Sequence, residues 1–308
     1  MNSARILSDK NNNMINKEMR SPFLEIIFQA EISRYEDSDF EELARINCYE
    51  DPKTRSKLIQ ELRNMIIERK ECQPHRMDDA YMLKFLRCRK FIPALAHKLM
   101  VRYEVFRRQN PEIYHCDAFA LREVRNVYSG IYPESPEYGR IIIMNFGKWD
   151  TDAVTALDVL RCAAVLNEVV LEQPKMQILG ITTILDMDGF GFRHVCSVNT
   201  STVYNMINLF GIGFPLMVHG IHIINYNWFF NPFLSLMRRF IPKSIWKRIH
   251  FHGTDVSSLQ KHVDIKYLPP KYGGTGIEFK SEEWFEKINI YKDECLVRTL
   301  RNLGYIIN

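Results

Sequence analysis

Between residues 36 and 110 apolar positions recur at intervals of three and four with charges filling the gaps, the period of amphipathic helices. Leu58, Leu62, Met65 and Ile66 form one stripe. Met82, Phe85 and Leu86, after the natural N-terminal caps Asp78 and Asp79, form a second, and Ala96, Leu99, Met100, Tyr103 and Phe106 a third. Short helices with one apolar face each must bury those faces against one another, so the pattern predicts a small bundle. Beyond Pro133 the period changes. Arg140 to Phe146, ended by Gly147, predicts a strand, and residues 154–173 predict a helix with Asp158, Arg161, Glu168 and Glu172 on one narrow stripe. The β-branched run from Ile178 to Asp188, closed by Gly189, predicts a second strand. A helix near 200–211, a strand near 215–225, a helix near 229–241 and a short strand before Gly253 follow. Strands alternating with helices signal parallel pairing through crossover helices. The expected fold class is therefore α/β, with an N-terminal all-helical bundle ahead of an α/β layer.

The charge pattern adds a second kind of information. From His194 to Met237 there is no Asp, Glu, Lys or Arg. A membrane-spanning helix needs about 20 consecutive apolar residues, whereas Asn205, Asn208, His219, His222, Asn225, Asn227 and Asn231 interrupt this stretch, as do Gly211, Gly213 and Pro215. Several consecutive elements buried on most of their faces fit it better. In the helix near 229–241, Phe229, Phe230, Phe233, Leu234, Leu236, Met237, Phe240 and Ile241 point to nearly every side, so it must be surrounded by core, by an apolar guest or by lipid. The acid-free region runs further, from Gly189 to Thr254, and holds Arg193, Arg238, Arg239, Lys243, Lys247 and Arg248. An apolar helix, then Trp246 among five cations, suits docking on an anionic membrane surface. It equally suits a solvated helix end with cations favoured at its C-terminus.

Composition narrows the classes. The 308 residues are 46% hydrophobic and 25% charged, enough to bury one large core or two modest ones. A net charge of +4 does not indicate a nucleic-acid binder. Seven cysteines without a C-x-x-C spacing argue against a disulfide framework or a zinc knuckle, and reduced thiols in a cytoplasmic protein are expected. Residues 1–35 are expected to form a disordered or loosely ordered arm, without an apolar segment of signal-peptide length in the first 20.

Catalytic readings are thin. Asp186 and Asp188 form a metal pair or cap the turn after their strand; no third ligand stands nearby in sequence. His250 and His252 share one strand face, a weak metal signal against an ordinary polar role. His194-Val-Cys196 lacks the Arg that a phosphatase loop requires, Gly189-Phe-Gly191 and Gly211-Ile-Gly213 lack phosphate-loop spacing, and there is no Gly-x-Ser-x-Gly elbow. Non-catalytic binding, with no cofactor, is the expected class. The cluster Lys84, Arg87, Arg89 and Lys90 is either a solvated helix face or an anion site.

Five segments then carry a likeness: Asp79-Ala-Tyr-Met-Leu-Lys-Phe-Leu-Arg-Cys-Arg-Lys-Phe91, Leu185-Asp-Met-Asp-Gly189, Phe214-Pro-Leu-Met-Val-His-Gly-Ile-His-Ile-Ile-Asn225, Lys247-Arg-Ile-His-Phe-His-Gly253 and Leu268-Pro-Pro-Lys-Tyr-Gly-Gly274. In this order and spacing the chain resembles the CRAL-TRIO lipid-transfer family over residues 50–280, most nearly its alpha-tocopherol transfer protein, cellular retinaldehyde-binding protein and clavesin branch. The resemblance implies a helical bundle (36–125), an αβα sandwich (126–280) whose mainly parallel sheet floors a lipid pocket, a helical C-terminal tail (281–308) and a gate helix at 229–241. It implies a pocket lined by Leu160, Ala163, Ala164, Asn167, Ile184, Phe210, Phe214, Ile221, Ile223, Phe229, Phe233 and Leu236, with Asn167 selecting the polar end of one hydrophobic lipid: a tocopherol, retinoid, other isoprenoid or phospholipid. It implies binding of phosphoinositide headgroups, with Arg248 and either Arg87 or Arg89 matching family positions and Arg238, Arg239, Lys243 and Lys247 adding charge. Met217, His219 and Ser244 stand where the branch carries cations, which weakens that site. The expected function is a non-catalytic carrier exchanging lipid at anionic membranes during transient peripheral association. A lipid-sensing adaptor for a protein partner is the alternative.

Overall fold

Apolar stripes become helices wherever capping chemistry marks their ends. The structure, a computed structural model, describes residues 37–116, 123–124, 126–131, 135, 137–172, 174–228, 230–276, 298 and 300–307; the expected arm at 1–35, Phe229 and most of the 281–308 tail lie outside them. Four helices open the described chain: α1 (Asp37–Cys48), α2 (Arg55–Arg69), α3 (Asp79–Cys88) and α4 (Pro93–Gln109). Asp78 accepts from the Tyr81 amide and starts α3, while Pro93 sits in the first turn of α4, where its missing N–H costs nothing. Leu62, Met82, Phe85, Leu86, Leu99 and Met100 are at most 1% exposed. Their core continues unbroken into the helices of the second part through Leu166, Leu171, Met176, Leu209 and Phe214.

After β1 (His115–Cys116), which pairs in parallel with β7 (Ile306–Ile307), a five-stranded sheet follows in sequence order. β2 (Tyr128–Ile131) lies antiparallel on the edge of β3 (Arg140–Asn145), and β3, β4 (Ile181–Asp186), β5 (Val218–Ile224) and β6 (Ile249–Gly253) are parallel. Parallel strands added in order through right-handed crossovers place every crossover on the same face. The crossovers are α5 (Ala156–Leu171) with α6 (Pro174–Leu179), then α7 (Phe192–Ser197) and α8 (Thr200–Met206) running into a π-helical turn (Ile207–Gly213), then α9 (Phe230–Arg238) with α10 (Lys243–Trp246). The opposite face is covered by α11 (Val256–Gln260) and the chain as far as Tyr272, which bury Ile141, Ile143, Ile184 and Ile224. Gly180 enters β4 at φ +71°, where a Cβ would stand 2.3 Å from the Met217 carbonyl oxygen, so both conformation and space require glycine.

Buried ion pairs join the bundle to the crossovers. Lys84, 2% exposed, pairs with Glu172. Arg87 donates to Glu50 from Nε (2.8 Å) and Nη2 (3.1 Å), and from Nη1 to Gln177 Oε1 (2.7 Å). Half of the basic cluster on α3 is thus interior structure.

Candidate functional site

Between the sheet and its crossovers lies a cavity of about 300 Å³, at the lower end of the range for small-molecule sites. Strand alternation and register build its floor. Ile142, Thr183, Ile221 and Ile249 stand side by side in one row, and Met144, Leu185, Ile223 and Phe251 in the next. The roof comes from α5 (Ala156, Val159, Leu160, Ala163, Asn167), α8 and the π turn (Thr202, Met206, Phe210), and α9 with the segment after it (Phe230, Leu234, Met237, Ile245, Trp246). Apart from the ring groups of Tyr128, Trp149 and Trp246, the polar side chains of the wall are Asn167, Thr183, Thr202 and Arg248. Trp149 Nε1 already donates to Val154 O at 3.0 Å. An apolar guest is the kind of molecule this wall can desolvate.

Of the residues expected to line a pocket, Leu160, Ala163, Asn167, Phe210, Phe214, Ile221 and Ile223 do border the cavity. Two do not. Ile184 registers with Ile143 and His222, faces the opposite side and is fully buried there; its neighbours Thr183 and Leu185 share a face with Ile221 and Ile223. Ala164 is 0% exposed in the core shared with the bundle. At 100° per residue it lies about 40° past Leu160, while Ala156, Ala163 and Asn167 lie on the other side of Leu160. Phe233 and Leu236 fall within α9, but their side chains, like Phe229, lie outside the described ones. The floor row from β3 and β6 and the aromatic wall of Tyr128, Phe146 and Trp149 were not expected; only cross-strand register, which is absent from the sequence, could have located them.

Asn167 is oriented by its own helix. Its Nδ2 donates to the Ala163 carbonyl oxygen at 2.7 Å. An amide pinned through its nitrogen presents its oxygen elsewhere, as an acceptor.

The cations separate into two groups. Arg87, 5% exposed with its donors committed to Glu50 and Gln177, is corrected from headgroup ligand to structural ion pair. Arg238, Arg239, Lys243, Lys247 and Arg248 are all exposed along the end of α9 and through α10. Arg238 stacks over Trp246 with its guanidinium carbon 5.3 Å from the ring centre. Arg248 donates to Val218 O at 3.0 Å and borders the cavity. Arg89 lies 3.1 Å from the Cys88 sulfur through Nη1. Burial pushes the Cys88 thiol up, and Arg89 and Arg248 both act against that shift.

Asp186 and His194, on which chemical readings of the sequence turned, are held by structural partners. Asp186 is fully buried and accepts from Lys271 Nζ (2.6 Å), Tyr272 Oη (2.7 Å), Asn225 Nδ2 (2.9 Å) and the Asp188 amide (3.0 Å). It ties the sheet's end to the Leu268–Gly274 segment, and its partners, Lys271 among them, hold its carboxyl below the usual range although burial raises it. Among the described residues no group of three His, Cys, Asp or Glu is arranged to hold a metal ion. His194 Nδ1 accepts from the Gly191 amide (3.0 Å), so Nε2 carries the proton toward Trp149 O (3.2 Å), and neither nitrogen is left to act as a base. No helix of the described residues is long and apolar enough to cross a membrane.

Comparison with known proteins agrees with this arrangement. The CRAL/TRIO domain family matches residues 128–274. The chain is 31% identical to Clavesin-1 of Rattus norvegicus over 248 residues, covering 79% of this chain and 70% of that protein. It is 31% identical to Clavesin-2 of Homo sapiens over 238 residues, covering 76% and 73%. The solved structure described as "Crystal structure of Sfh5" superposes with a TM-score of 0.53 at 15% identity, covering 83% of this chain and 98% of that one, a likeness of fold.

Proposed function

The chain belongs to the CRAL-TRIO family of lipid-binding proteins, and from that premise we propose that it is a non-catalytic carrier that holds one hydrophobic lipid beneath α9 and exchanges it at anionic membranes. The observation that carries this reading is the cavity of about 300 Å³, with two apolar rows of the sheet as floor and α9 as part of its roof. Burial supplies the affinity: a guest hiding about 400 Å² of apolar surface gains on the order of 10 kcal/mol, at about 25 cal/mol/Å², before ordering costs. α9 serves as the gate. It has an apolar face on the cavity, and Trp228, immediately before it, is 69% exposed. Moving that face into a bilayer transfers apolar contact from guest to lipid, which makes release reversible.

Exposed cations at the end of α9 and in α10 bring this edge to an anionic surface, each contributing about 1 kcal/mol. Arg89 and Arg248 offer a place for a phosphate-bearing headgroup. Met217 and His219 do not add to it: Met217 is apolar and packs on the core, and His219 Nε2 donates to Leu179 O at 2.6 Å and so holds the strand entry.

The test is transfer of a fluorescent lipid from labelled to unlabelled vesicles containing phosphatidylserine. The expected result is protein-dependent acceleration, reduced at least tenfold when Arg238, Arg239 and Lys247 are changed to Glu. Folded protein that binds the probe without accelerating transfer turns the reading to a lipid sensor; folded protein that binds none defeats it.

A further inference from the structure

The face of the sheet turned away from the cavity carries four histidines that the carrier reading does not use. His222 on β5 stands opposite His250 on β6, with ring centres 5.0 Å apart and planes 15° from parallel. His252 stacks against His222 at 5.2 Å, and His262, from the chain after α11, lies over the group 4.3 Å from His250 and 5.5 Å from both His222 and His252. His222 Nδ1 and His252 Nε2 are 3.0 Å apart, and His252 Nδ1 is 2.9 Å from Ser258 Oγ. His222 and His252 are 4% and 6% exposed, His250 is half-buried and His262 exposed.

Only one proton fits between His222 Nδ1 and His252 Nε2. One nitrogen donates and the other accepts, so full protonation of both rings sets N–H against N–H and breaks the bond. Little nearby offsets added charge. β4 presents Ile184 opposite His222, β5 and β6 present only the other imidazoles, and the chain after α11 presents His262. At α11 the sole carboxylate is Asp255, which already accepts from the Ser257 and Ser258 amides and has Lys261 beside it.

We propose that this cluster is a proton-operated latch, holding Val256–Val263 on the outer face of β5 and β6 when neutral and freeing it on acidification. Burial, and after it the neighbouring imidazoles, push His222 down to about 3 and His252 to about 4, and lower His250 as well. An opened latch returns each ring to its ordinary value of 6.5. Between that value and about 4 the open state takes up protons that the closed state refuses, so each of the two buried rings shifts the balance tenfold toward opening per pH unit, together about a hundredfold. The cavity senses the change because the strands are shared: Ile221 and Ile223 alternate with His222, and Phe251 with His250 and His252. β6 also follows directly on α10, after the gate.

Hydrogen exchange of the intact protein, expressed as protection factors at pH 7.5, 6.0 and 5.0, tests the latch without any ligand. The expected result is a loss of protection in residues 249–263 of several hundredfold from pH 7.5 to 5.0, with α2 and α4 losing at least tenfold less than this segment. In His252→Gln one ring fewer brings the loss to about thirtyfold. Unchanged protection of this segment at pH 5.0, or loss in step with the bundle, overturns the proposal even if the variant fails to fold. So does an identical profile in a folded His252→Gln. The consequence for the guest rests on the carrier reading: a nitrobenzoxadiazole-labelled phospholipid, preloaded at pH 7.5, leaves at least tenfold faster at pH 5.0. A protein that never takes up this probe counts against the carrier, while the exchange profile still decides the latch.

Discussion

At the scale of single residues, Asn167 is the polar group whose orientation says most about a guest. With one Nδ2 hydrogen committed to the Ala163 carbonyl, its carbonyl oxygen and one N–H remain, so it suits a guest hydroxyl, which can both donate and accept. The expected outcome of Asn167→Leu is a loss of five- to tenfold in affinity for a long-chain alcohol, about 1–1.5 kcal/mol for one hydrogen bond. The corresponding methyl ether, which can only accept, loses less. Competition of both compounds against one fluorescent lipid measures the difference. Arg87 shows the opposite outcome for a sequence signal. As a cation in a basic cluster it fits an anion site, yet its guanidinium finds Glu50 and Gln177 in the interior. Partners distant in sequence leave no mark on local charge pattern.

At the scale of elements, strand register decides what faces the cavity. Thr183 and Ile184 are adjacent in sequence but stand on opposite faces of β4. Thr183→Phe is therefore expected to fill the cavity and abolish uptake of a fluorescent lipid with little loss of stability. Ile184→Ala leaves uptake intact and costs about 2–5 kcal/mol by opening a void in the outer core, read as a lower midpoint in urea. Equal effects of the two substitutions on uptake would contradict the register. The helices were legible wherever an amphipathic stripe was long enough to show its period, as in α2, α4 and α5. The four- to six-residue helices α6, α7 and α10 were not, because one turn or so displays no period.

At the scale of the whole molecule, bundle and sheet domain share one core, and the ionisable groups buried in it tie stability to pH. Glu168, 2% exposed, meets Arg107 only at 3.4 Å, and burial pushes its carboxyl up to about 7. Between its ordinary 4.5 and about 7 the unfolded chain has given up the proton that the folded protein keeps, so this group lowers stability as pH rises through that window. Glu168→Gln is expected to raise stability at pH 8 by on the order of 3 kcal/mol and to change it little at pH 4. The measurement is urea unfolding at the two pH values. The outer histidines act with the opposite sign, removing stability as pH falls below 6.5. Stability is thereby squeezed from both sides of the neutral range.

Taken alone, the sequence determined the order of the longer helices and of the parallel strands, the parallel sheet behind a helical bundle, the family, and the existence of a stretch too poor in charge to face water. These are local or cumulative properties, carried by period, composition and short motifs. Which face of β4 meets the cavity, which arginines are buried, and how His222, His250, His252 and His262 come to share one site were decided by tertiary structure. Each depends on register and on contacts between segments remote along the chain, and a one-residue change of parity sends a side chain to the other side of the sheet.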